Sequence, residues 1–248
     1  MSGTARSLYA AISLFDPRRT SQSVAPVVGT VRKHDANPLL VQDQPWEPRL
    51  DNGYPNIVPP TTRGGRWQLW YGDCIDGCAK QVLLYANSTD GLAWHKPALG
   101  LVDVGELRPD LARVGARNNI VLVGGGIGVY YDTRAVAARR YVAFGPACYT
   151  TRTGASCSLA ADAARAPTER AARGLARASY PIEDLATSAD GLTWTSAVSI
   201  AWPPPQRYDC HNNLYWDSRA RGGAGGYVAT TRVGYAGEPG GRAIGMAL

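Results

Sequence analysis

The chain has 248 residues, enough for one large domain or two small ones, and its 45% hydrophobic and 19% charged content is that of a core-forming protein. The net charge of +6 is carried mostly by Arg, much of it in one Ala/Arg-rich tract with no aromatic-interleaved basic stripe, which argues against a nucleic-acid partner. There is no run of about 18 apolar residues, so no membrane partner or helical span is expected.

Residues 1–29 show no sustained periodicity and read as a disordered N-terminal arm. Leu8 to Phe15 is apolar but short, and Asp16 to Arg19 follows at once, so no signal peptide is assigned and the compartment stays open. Residues 30–248 read as one domain. Tyr, Trp and Val are abundant and suit a pleated, half-buried surface, while 28 Gly and 17 Pro mark many turns. The fold class is all-β. The segment from Gly29 to Pro60 is rich in Pro, Asn and Asp and reads as a lead-in loop with at most one short strand, at Pro38 to Val41.

The strongest signal is an internal repeat. Tyr85–Trp94 reads YANSTDGLAW and Leu185–Trp194 reads LATSADGLTW, so Ser88, Asp90, Gly91 and Trp94 recur one hundred positions later as Ser188, Asp190, Gly191 and Trp194. Ser and Asp side chains can close a turn on the backbone, and Gly supplies a positive φ. Each copy is expected to be a hairpin tip with an aromatic anchor, its Asp structural. A second element starts at Asn56, Gly128 and Asn213 and reads strand, polar turn, strand. Asp132-Thr133-Arg134 and Asp217-Ser218-Arg219 fill the same turn. Joining the elements gives sheets at about 50–97, about 118–198 and from about 207, the third ending after two strands. The Ala/Arg-rich stretch of 150–179 is expected to be a surface insertion within the second sheet.

Five cysteines at irregular spacing form no disulfide framework, although Cys74 and Cys78 can close a local bridge across a hairpin loop. No second ligand pair supports a metal site, and no cofactor is expected. Gly124 to Gly128 lacks the Lys-Ser/Thr ending of a phosphate loop and reads as a turn.

The ordered set of Asn37–Leu40, Trp46–Glu47, Asp51–Asn56, Trp70–Gly72, Ser88–Trp94, Lys96–Val102, Asn118–Val121, Asp209–Asp217 and Tyr227–Arg232 resembles the five-bladed β-propeller superfamily of invertases, levansucrases and arabinanases. Within it the likeness is to the glycosyl hydrolase family 32 N-terminal-type domain. The resemblance implies an incomplete propeller of about two and a half to three blades, truncated at its C-terminus, whose uncovered blade faces favour self-association. It also implies a carbohydrate substrate or ligand. The invertase Asn-Asp-Pro is replaced by Tyr54-Pro55-Asn56, the second-blade acid by Gly126-Ile127-Gly128, and the Glu-Cys acid motif is absent.

Glycoside hydrolysis needs two carboxylates flanking the scissile bond. In a propeller, acids placed just before the innermost strands converge on the central channel. Asp51 and Asp209 stand there and are the expected catalytic pair, with turn-capping as the alternative. Expected substrate-binding residues are Asn52, Tyr54, Asn119, Asn212 and Arg232, with capping of a strand start as the alternative for Asn118 and Asn119, and with His211 as a sugar ligand, a carboxylate partner, a ligand of a central ion or a loop histidine satisfied by backbone. Trp46 is the expected stacking platform, and Glu47 is expected either to line the pocket or to be a solvated surface carboxylate. Two functions stay open: a hydrolase of fructosyl or arabinosyl linkages, and a non-catalytic glycan-binding or degenerate propeller.

Overall fold

The computed structural model describes residues 30, 32–50, 53–75, 80–124, 126–145, 147–148, 183–200, 212–234 and 242–247. In chain order the strands are β1 (Asn56–Val58), β2 (Trp67–Ile75), β3 (Lys80–Ser88), β4 (Ile120–Gly124), β5 (Gly128–Tyr131), β6 (Tyr141–Gly145), β7 (Ala147–Cys148), β8 (Glu183–Ser188), β9 (Thr195–Ile200), β10 (Asn213–Asp217), β11 (Gly226–Gly234) and β12 (Arg242–Ala247). They form three sheets, ordered β1-β2-β3-β4-β7, β5-β6-β8-β9 and β10-β11-β12. Every pairing is antiparallel. Helix among the described residues is limited to α1 (Val104–Leu107) and short 3-10 turns, so the chain is all-β.

The first sheet is buried on both faces, and its sequence divides with a period of two. Leu69, Tyr71 and Ile75 on β2 and Val82, Leu84 and Ala86 on β3 face one cluster. Trp70, Leu83 and Tyr85 face another, which includes Tyr141, Ala143, Ala186 and Trp194 of the second sheet. The lead-in loop and α1 cover the first cluster through Trp46, Val102, Val104 and Leu107. A third cluster joins Val142 and Phe144 of the second sheet to Leu214 and Ala229 of the third.

Both repeat copies adopt the expected turn. The Ser88 hydroxyl donates to Asp90 Oδ1 (2.8 Å) and accepts from the Gly91 N–H (2.9 Å), and Asp90 Oδ1 accepts from the N–H groups of Leu92 and Ala93, each at 2.8 Å. Ser188 and Asp190 repeat the set at 2.9, 2.9, 2.8 and 2.8 Å. The φ values of Gly91 and Gly191 are +76° and +74°. These backbone hydrogen bonds hold the Asp90 carboxyl below its ordinary range. Trp194 is buried against the first sheet, as an anchor should be.

Three expectations about strand layout are corrected. After the first turn the expected return strand is reduced to a single bridge between Asn87 and His95. Pro97 follows within two residues and cannot donate to a ladder. The place beside β3 is taken instead by β4, whose residues were expected to open the second sheet. The third sheet has three strands and not two, because β12 pairs with β11 from Ala247 opposite Ala229 to Arg242 opposite Gly234. Pro38 to Val41 forms no strand. The 1–29 arm and the whole of the 150–179 insertion lie outside the described residues. Cys74 is disulfide-bonded, and Cys78, its expected partner, also lies outside them.

Candidate functional site

The first strands of the three sheets start side by side. Asn56, which opens β1, donates through Nδ2 to the carbonyls of Tyr54 (3.0 Å) and Ile127 (3.3 Å) and accepts at Oδ1 from the Val129 N–H (3.1 Å). Asn212, just before β10, donates from its backbone N–H (2.9 Å) and its Nδ2 (2.8 Å) to the Gly126 carbonyl ahead of β5. The approach is close enough that a Cβ built at Gly128 would overlap the Asn212 carbonyl. Glycine at the head of β5 is therefore a packing requirement. Tyr54 sits half-buried beside this cluster with φ +40°. Arg232 lies on β11 opposite Ile244.

Trp46, Glu47 and Asn119 lie elsewhere, on the far face of the first sheet. Trp46 Nε1 donates to Asn119 Oδ1 (2.8 Å), and Asn119 Nδ2 donates to the Tyr71 hydroxyl (2.8 Å) and the Tyr85 carbonyl (2.7 Å). Tyr71 in turn donates to Glu47 Oε1 (2.5 Å). Lys96 Nζ gives its three donors to Glu47 Oε2 (2.6 Å), Asp43 Oδ1 (2.6 Å) and the Val41 carbonyl (2.7 Å). The Glu47 side chain is 0% exposed. It is no solvated surface carboxylate, and both of its oxygens are engaged inside the protein. Burial, with the Glu47 carboxylate beside it, pushes the Tyr71 phenol well above its usual value. The Lys96 hydrogen bond holds Asp43 below its own. The network clamps the lead-in loop to β2, β3 and the start of β4. Sequence reading passed over Lys96 and Tyr71. The available signal was Lys96 itself, one of three lysines in an Arg-rich chain, standing where a compact three-donor cation is needed.

The repeated polar turns are structural, as expected. Asp132 Oδ1 accepts from the Arg134 N–H (2.9 Å), and Oδ2 pairs with the Arg134 guanidinium (2.6 Å) and accepts from the Tyr227 hydroxyl (2.5 Å). Arg134 lies 3.4 Å above the Trp216 ring. Burial pushes the Asp132 carboxyl up, but the Tyr227 and Arg134 hydrogen bonds outweigh it and hold the group low. The Tyr227 phenol is pushed up to about 12 by burial and by Asp132. The signs follow by linkage. A depressed carboxyl stabilises the fold above its unfolded value and loses that contribution as pH falls through its folded value. A raised phenol stabilises below its unfolded value near 10 and loses that contribution as pH rises toward 12. Melting temperature should therefore fall below about pH 4 and above about pH 10, and Asp132→Asn should flatten both limbs in a pH series of thermal melts. Unchanged limbs would remove this pair from the pH dependence.

Asp51, Asn52, Asp209 and His211 lie outside the described residues. Asp51 stands five residues before β1 and Asp209 four before β10. A separate open cleft of about 430 Å³ between the second and third sheets is lined by Ala135, Val136, Arg139, Val142, Thr187 and Tyr227. None of these is a carboxylate, so the cleft lacks the pair that hydrolysis needs.

Neither a protein-family model nor a curated protein matches the chain. Among solved structures it is similar to an N-acetylgalactosamine deacetylase from F. plautii in complex with blood group B trisaccharide, with a TM-score of 0.40 and 16% identity over 75% of this chain. The chain spans 41% of the length of that protein.

Proposed function

We propose that the chain is a carbohydrate-active β-propeller domain of the glycosidase type, whose ligand site is the mouth formed where β1, β5 and β10 begin. The adjacency of these strand starts, through Asn56 to Val129 and Asn212 to Gly126, carries the reading. Asp51 and Asp209 stand five and four residues before two of them in sequence. The pair supplies what acetal cleavage requires. In such a reaction one carboxyl protonates the departing oxygen and the other attacks the anomeric carbon or activates water, which requires a separation of about 5–10 Å. Tyr54, Asn212 and Arg232 belong to the same proposal as sugar contacts, together with Asn52 and His211. Fructosyl and arabinosyl linkages are the substrates to test first, on the strength of the motif resemblance.

Sugar release from a panel of fructosides and arabinosides tests the reading. Asp209→Asn keeps shape and hydrogen-bonding capacity but removes the charge and the titratable proton. It should lower turnover by about 10²–10⁴-fold, as should Asp51→Asn. Asp90→Asn, in a turn, should lower the melting temperature slightly and leave turnover per folded molecule unchanged. Equal activity in wild type and Asp209→Asn would refute the catalytic assignment. One observation favours glycan binding without cleavage: the head of β5 has no room for a side chain at Gly128 and offers no acid. Glycan binding with no turnover in any variant would establish that second reading.

A further inference from the structure

The Asn56 side chain ties β1 to the head of β5. Strand β1 is the terminal strand of its sheet and pairs with β2 along one edge. Toward β5, the Asn56 carboxamide does the work of a ladder. Its Oδ1 accepts from the Val129 N–H (3.1 Å), and its Nδ2 donates to the Ile127 carbonyl (3.3 Å), so the two bonds grip the backbone on either side of Gly128. Asn212 holds the same segment from β10, through the Gly126 carbonyl. The second hydrogen of Asn56 Nδ2 goes to the Tyr54 carbonyl (3.0 Å). An amide nitrogen carries two hydrogens, and both are engaged within the protein. Asn56 therefore keeps no donor for a sugar.

Tyr54 is where this matters. Its φ of +40° lies in the left-handed region that a bulky side chain rarely adopts. Pro55 follows it and restricts its backbone further. Strain of this kind persists only where the surroundings over-determine it. The Asn56 bond to the Tyr54 carbonyl supplies part of that constraint, and the Asn56 bonds to β5 fix the carboxamide that makes it. A second constraint is the Gly72 N–H, which donates to the Gly53 carbonyl just before Tyr54 (2.6 Å).

We infer that Asn56 is the positioning residue of the mouth: it contacts no sugar itself, and it sets where Tyr54 stands against the ligand and against β5. The inference rests on the reading of this mouth as a glycan site. It adds a residue whose part is to hold the contact residue in an unfavourable backbone conformation.

Calorimetric titration with a fructan oligosaccharide and an arabinan oligosaccharide, far below the melting temperature, tests this. Asn56→Asp keeps size and the acceptor for Val129 but turns a carboxylate oxygen toward two carbonyls. It should raise the dissociation constant about tenfold, the effect of roughly one lost hydrogen bond. Asp90→Asn, in a turn, should lower the melting temperature slightly and leave the dissociation constant unchanged, which separates positioning from loss of stability. Tyr54→Gly removes the side chain and accepts a positive φ without strain. In that background Asn56→Asp should weaken binding by less than about twofold, because coupled residues are not additive. A wild type that binds sugar while Asn56→Asp binds equally well would overturn the inference and leave the glycan reading standing, as would full additivity with Tyr54→Gly. A wild type that binds neither oligosaccharide would overturn the glycan reading and this inference with it.

Discussion

Lys96→Met is expected to cost about 3–5 kcal/mol of folding stability, the range for removing one partner of a buried ion pair. The Lys96 ammonium has three donors and meets three acceptors: Glu47 Oε2, Asp43 Oδ1 and the Val41 carbonyl. Its loss strands the Glu47 carboxylate, whose side chain is 0% exposed, with the Tyr71 hydroxyl as its remaining partner. Lys96→Arg should also destabilise, because a planar fork cannot reach three acceptors arranged around a point. The double variant Lys96→Met with Glu47→Gln should recover part of the loss, since a neutral amide keeps an acceptor for Tyr71 without a buried charge. Urea unfolding gives these values. A second readout is the titration of Asp43, which should return toward the ordinary carboxylate range in Lys96→Met because Lys96 is the main cause of its depression. A loss below about 1 kcal/mol, the size found for exposed pairs, would show that the network is solvated and does not clamp the loop.

Gly191→Ala should cost about 2–5 kcal/mol, and Gly91→Ala only about 1–2, although the two glycines hold the same place in the same motif. Both have positive φ, so both variants carry the left-handed penalty of about 1–2 kcal/mol. They differ in what the new methyl meets. At Gly91 it would lie 3.3 Å from the Trp67 ring, a tight contact that the ring can relieve. At Gly191 it would lie 2.5 Å from the Trp70 ring and 3.0 Å from the Tyr141 ring, inside the cluster that joins the first two sheets. Overpacking there adds about 1–3 kcal/mol. The same shift threatens the 2.8 Å hydrogen bond from Trp70 Nε1 to the Gly191 carbonyl. Thermal melts followed by tryptophan fluorescence would measure the difference. Equal costs would mean that the turn does not hold the second sheet against the first.

What the sequence determined by itself is the part written in short range. The Ser-x-Asp-Gly turns were legible because their hydrogen bonds span two or three residues. The two Asp-x-Arg turns were legible for the same reason. The all-β class followed from composition and alternation, since a period of two in apolar residues is itself the geometry of a half-buried strand. Tertiary structure decided everything that depends on partners far along the chain. Glu47 stands in a polar stretch and reads as a surface acid. Its burial depends on Lys96, 49 residues away, and on Tyr71, 24 away. Asn119 reads as a strand cap or a sugar contact, yet it is held by Trp46 across 73 positions. Ile120–Gly124 has the same apolar pattern whichever sheet it joins. Its place beside β3 became open because Pro97 ends pairing after the first turn, a competition between strands that no single strand records.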